Sequence, residues 1–141
     1  MFDKTYEQRL TIWKKFRDSL ETSESPIQDT IEFWSKAPLG RLCADPYDKN
    51  TWPDPWELIL ENQYCDFLQI LGICYTLKLT DRFSTKAFEI HIALNKKENN
   101  LRYLLFVDNQ AIGNYNDECI ETRKKPRNFH SQMQHTINSL H

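Results

Sequence analysis

The sequence predicts an α+β domain with N-terminal helices packed on an antiparallel sheet of three to four strands. Three observations carry this. Apolar residues recur at helical spacing near the N-terminus. Two later segments open with helix-capping signals. Beyond about residue 75 the pattern changes to alternation with a period of two. Helices first and strands later is the order of an α+β fold, not of repeated βαβ units.

The elements follow in order. Phe2, Tyr6, Leu10, Trp13, Phe16 and Leu20 form one apolar stripe of an amphipathic helix, with Lys14, Lys15, Arg17 and Asp18 mostly off it. Ser25-Pro26-Ile27-Gln28 reads as a capping box that opens a second helix, with Ile27, Ile31 and Trp34 on its buried edge and Pro38-Leu39-Gly40 at its end. Residues 41–53, RLCADPYDKNTWP, read as a long ordered loop, since Asp45-Pro46 and Asp48 favour turns and Tyr47 and Trp52 supply large apolar bodies. Asp54-Pro55-Trp56-Glu57 opens another helix. That helix either runs on to about Tyr75 or breaks at Glu61-Asn62-Gln63; propensity alone favours continuity.

Phe88, Ile90, Ile92 and Leu94 alternate with Glu89, His91, Ala93 and Asn95 as a half-buried strand. Leu101 to Asp108 is apolar on both faces and reads as a central strand. Tyr75–Leu79 and Ala111–Tyr115 are candidates for further strands. Phe129, Met133, Ile137 and Leu140 suggest a short terminal helix. The 141 residues fit one domain, with a helical part over 1–50, a core over 52–115 and a tail with its helix over 121–141.

Composition narrows the function classes. A net charge of −2 gives no global field to attract nucleic acid. The cluster Arg123, Lys124, Lys125 and Arg127 reads as a solvated linker. The three glycines fall in no phosphate-binding loop motif. MFDKTYEQRL lacks an apolar signal region, and no run reaches the length of a membrane span. The four cysteines show no C-x-x-C spacing, so free thiols in a reducing, cytoplasmic compartment are expected and no metal site or cofactor is implied.

Chemistry centres on Cys65, His91 and Asp108. A thiol nucleophile needs a base, and the base needs an orienting partner. A tight turn at Asn99-Asn100 would set His91 opposite Asp108, with Cβ atoms ~5 Å apart. A longer loop shifts the register by two or four residues and keeps every apolar match. Lys97 opposite Arg102 counts against the tight turn. Cys65 gains from a helix dipole only if the chain breaks at Asn62-Gln63. Trp52 and Trp56, with Tyr64, are candidates for a substrate-binding wall.

Four segments in order resemble the transglutaminase-like, papain-like cysteine proteinase fold, its bacterial transglutaminase-like type in particular. They are Pro55-Trp56-Glu57-Leu58-Ile59, Tyr64-Cys65-Asp66-Phe67, His91-Ile92-Ala93-Leu94 and Val107-Asp108-Asn109. The family's glycines and aspartate before the cysteine are replaced by Asn62, Gln63 and Tyr64, so the resemblance is to a degenerate member. Aligning Asp66-Phe67 with the family motif puts Tyr64 at the nucleophile position; aligning cysteine with cysteine costs one residue of register. The loop DPYDKNTWPDPWELI is also similar to small proteins of marine contractile-tailed phages. Two functions are therefore expected. One is a non-catalytic accessory protein acting by protein contact or as a homo-oligomer, in the host cytoplasm or the virion if phage-encoded. The other is a thiol acyltransferase or hydrolase using Cys65, His91 and Asp108.

Overall fold

The computed structural model describes residues 1–40, 44–95, 100–108, 110–115, 118–122 and 129–137. Helix α1 (Tyr6–Leu20) starts at a capping box in which Gln8 N–H donates to the Thr5 hydroxyl and Thr5 N–H donates to the Gln8 side chain. Helix α2 (Pro26–Trp34) keeps Ser25 as its N-cap and proline in its first turn, but the Ser25–Gln28 capping box does not form. The Ser23 hydroxyl serves the turn instead. It accepts from Ser25 N–H at 3.0 Å and donates to Asp29.

A 3-10 turn (Lys49–Thr51) ends an ordered loop. Tyr47 N–H donates to Asp45 Oδ1 and Asn50 N–H to Asp48 Oδ1, which is the turn chemistry expected of aspartate. Helix α3 (Pro55–Glu61) opens with the expected box. Glu57 N–H donates to Asp54 at 2.8 Å, and Asp54 N–H donates to Glu57 at 3.3 Å.

The chain does break after Glu61. Asn62 takes a left-handed conformation (φ 52), which asparagine tolerates. Its side-chain amide donates to the Phe2 carbonyl at 2.9 Å. The next residues are pinned by a short parallel bridge between Leu39 and Tyr64, with Tyr64 N–H donating to Pro38 and Gly40 N–H to Tyr64. A Cβ at Gly40 would lie 2.6 Å from Cβ of Gln63, so glycine permits this close approach.

Helix α4 (Asp66–Lys78) follows, and every residue from Phe67 to Lys78 is buried. A helix buried all round has no amphipathic period. Tyr75–Leu79, a candidate strand by sequence, is therefore the end of α4 and its cap. Helix α4 touches α2, α3 and the sheet. One hydroxyl ties it to α1 and α2: Thr76 Oγ1 accepts from the indoles of Trp13 (2.9 Å) and Trp34 (2.8 Å) and donates to the Gly72 carbonyl (2.7 Å). The buried Arg9 ties α1 to α3 by donating to the carbonyls of Ile59 and Leu60, each at 3.2 Å, and to that of Lys4.

The class is α+β, as the sequence predicts. Among the described residues the sheet holds five antiparallel strands: β1 (Phe88–Asn95), β2 (Asn100–Val107), β3 (Gln110–Tyr115), β4 (Glu118–Thr122) and β5 (Phe129–Ile137), in spatial order β4-β3-β2-β1-β5. β2 is interior and β3 falls on its predicted segment. Residues 129–137 form a strand, not the expected helix. Phe129, Met133 and Ile137 are four apart, a spacing that fits both periods, and pairing with β1 decides for the strand.

Phe88, Ile90, Leu105, Val107 and Ile137 join the helices in one core. Ala93, Leu104 and Phe106 form a second, smaller cluster. Alternation along the strands puts it on the sheet face away from the helices.

Candidate functional site

Cys65 stands at the N-cap of α4, where a helix dipole would favour a thiolate. The sulfur, however, is disulfide-bonded, with its partner outside the described side chains. A bonded sulfur has no thiolate to offer, which corrects the free-thiol reading of this residue. Cys74 is free but fully buried, and desolvation pushes its thiol up to about 12 against the smaller opposing pull of Lys78 and Lys49. It is inert near neutral pH.

His91 and Asp108 are not brought together. The register pairs Leu94 with Leu101, Ile90 with Leu105 and Phe88 with Val107, four residues from the tight-turn register. Ala93, not Lys97, then faces Arg102, which removes the like-charge pair. His91 lies opposite Leu104, on the face turned away from α4 and Cys65. Its ring sits 4.6 Å from that of Phe106, and its Nε2 lies 2.9 Å from Glu89 Oε2, which also accepts from Gln134 at 2.8 Å. Asp108 follows β2 at the turn into β3 with φ 53. Its N–H donates to Ala87 at 2.9 Å, its carboxylate accepts from Ala87 N–H at 3.2 Å, and Lys86 lies 4.0 Å away. That is the role of a hairpin end, not of an orienter for His91.

The three aromatic candidates separate too. Tyr64 is a core residue at 1 % exposure; its hydroxyl donates to Leu58, and burial pushes its pKa up. Trp52 packs on Phe67 and His135 while its indole donates to the Asp45 carbonyl at 3.0 Å. Only Trp56 keeps a large exposed surface, 46 %.

Around Trp56 the surface has a definite composition. Leu60, one turn further along α3, is 52 % exposed. The other side of the helix, Leu58 and Ile59, is buried. The Trp56 ring meets Trp13 edge-on at 5.7 Å. The Arg17 guanidinium lies 4.5 Å from the Trp13 ring and 5.7 Å from that of Trp56. Desolvation lowers its pKa and Asp18 opposes that, but a guanidinium stays cationic. Among the described residues it has no ion-pair partner, and its Nε has no hydrogen-bond partner. Lys14 instead pairs with Asp18 at 3.4 Å. Exposed Glu57 and Glu61 follow one position after Trp56 and Leu60. The α1–α3 ridge is thus cationic on one flank, apolar along its crest and acidic on the other flank.

Sequence reasoning singled out Trp56 but missed Leu60 and Arg17. The available signal was their spacing of four from Trp56 and Trp13. No family model matches the chain, and neither the curated proteins nor the solved structures contain a match. Among the described residues no three His, Cys, Asp or Glu side chains converge as metal ligands, and no helix is long and apolar enough to cross a membrane.

Proposed function

We propose that this chain is a non-catalytic accessory protein that works through protein–protein contact at the α1–α3 ridge. The observation that carries the reading is the exposed Trp56–Leu60 crest beside the Arg17 guanidinium, which forms no ion pair among the described residues. Tryptophan and arginine are the residues most enriched among interface hot spots. An exposed apolar patch rimmed by charged residues marks an interaction surface. The likeness of DPYDKNTWPDPWELI to small contractile-tailed phage proteins supports the same reading, with the host cytoplasm or the virion as its location.

The competing thiol acyltransferase would need Cys65 reduced and His91 within hydrogen-bonding reach. A photo-reactive residue at position 60, with position 11 on the solvent side of α1 as control, tests the choice in extracts of the source cells. The expected result is a protein adduct at 60 and none at 11. No adduct at 60 would overturn the reading, and reductant-dependent acyl transfer abolished by Cys65→Ser would put the enzyme in its place.

A further inference from the structure

The charge pattern of the ridge identifies an occupant. We propose that the α1–α3 ridge docks a second copy of this chain, with the two α3 helices side by side and parallel. The inference rests on the contact reading above and adds the partner to it.

Two-fold pairing requires one surface to complement itself. Across its width the ridge runs from Arg17, through Trp56 and Leu60, to Glu57 and Glu61. A two-fold axis parallel to α3 exchanges the flanks. Arg17 of one copy then faces Glu57 and Glu61 of the other, in both directions. Trp56 meets Trp56 and Leu60 meets Leu60, as successive apolar layers do in parallel helix pairs. An axis across the helices would instead set arginine on arginine and glutamate on glutamate. The pattern therefore selects the parallel arrangement.

The groups are ready for such a contact. Arg17 forms no ion pair among the described residues, and no salt bridge among them uses Glu57 or Glu61. Among the described residues, Glu57 accepts the capping N–H of Asp54. The net charge of −2 per chain sets up little repulsion between copies. Few side chains form the crest, so the dimer is weak and depends on concentration.

Sedimentation velocity on the purified full chain, from ~1 μM to ~1 mM, tests this directly. The expected result is a monomer–dimer equilibrium in that range, weakened about tenfold or more by Trp56→Ala. Arg17→Glu and the double variant Glu57→Lys/Glu61→Lys should each be monomeric alone and should dimerise when mixed, because the mixture restores both opposite-charge contacts. Glu61→Lys alone leaves the Asp54–Glu57 cap intact and keeps the test valid if the double variant loses its fold, which thermal melting reports. A chain that stays monomeric to ~1 mM overturns the inference, as does a dimer indifferent to Trp56→Ala and Arg17→Glu. If the purified chain is monomeric but position 60 still crosslinks to a different protein in extracts, the second copy is wrong and the contact reading stands. If position 60 also forms no adduct, both fall.

Discussion

The four tryptophans divide into two pairs. Trp13 and Trp34 are fully buried, and both indole N–H groups donate to the single hydroxyl of Thr76. Trp52 is half-buried and turns its N–H to the Asp45 carbonyl, whereas Trp56 is exposed and its N–H has no such bond among the described residues. A buried indole needs a partner for its N–H, so a polar atom placed in the core decides which tryptophans can be core residues. Thr76 supplies that atom for two of them. At Trp56 the ring is left as surface, and its neighbours are a cation and an exposed leucine. One residue type thus holds the helices together at one site and stays exposed at the other.

Removing the shared hydroxyl should break this comparison most severely. Thr76→Val keeps the shape but leaves two buried donors unsatisfied, at a cost of about 2–5 kcal/mol in urea unfolding. A loss below about 0.5 kcal/mol would mean that the indoles find other partners. Gly72→Ala comes next. Its Cβ would sit 2.6 Å from the Trp34 ring, and that ring is held by its bond to Thr76. Overpacking of this kind costs about 1–3 kcal/mol.

Alkaline titration reads the dryness of the same core. Burial pushes the Cys74 thiol from its ordinary value near 9.0 up to about 12, and it also raises the hydroxyls of Tyr64 and Tyr75 above their ordinary 10.0. The folded protein keeps protons that the unfolded chain releases. Stability from Cys74 is therefore complete below pH 9 and is lost as pH rises toward 12, by up to about 1.4 kcal/mol per pH unit. The tyrosines add to the slope above pH 10. Unfolding free energy measured from pH 8 to 11 should fall accordingly, and Cys74→Ala should flatten the first part; a level profile would contradict a dry site. Trp56→Ala should cost least in stability, about 1 kcal/mol or less, while abolishing contacts made through the ridge. A large fall in melting temperature would instead make Trp56 a core residue.

Much of the helical half was legible because its signals are local. Ser or Asp at a cap and proline in the first turn act within four residues, and α2 and α3 start where those signals stand, while α1 was legible from its apolar stripe. The break at Asn62 was visible only as an alternative. Its left-handed turn is held by the Phe2 carbonyl and by the Leu39–Tyr64 bridge, both remote in sequence. The His91–Asp108 pairing failed for a related reason. Strand alternation survives any even shift, so parity assigns the face but not the register. Phe129, Met133 and Ile137 were ambiguous because a spacing of four satisfies helix and strand alike. Nothing local marks Cys65 for a disulfide, since no spacing motif links the cysteines. Leu60 and Arg17 became visible only once α1 was seen to lie beside α3.

The buried Arg9 has a mechanical consequence. Helix α3 has seven residues, too few to hold its shape alone. By binding the carbonyls at the end of α3 from within α1, Arg9 makes the two helices one stiff body. A partner meeting that body does not have to immobilise it, so little ordering entropy is spent on contact. A side chain that touches no partner would then set how long one stays, and Arg9→Met should shorten residence on the ridge even though every residue on its surface is unchanged.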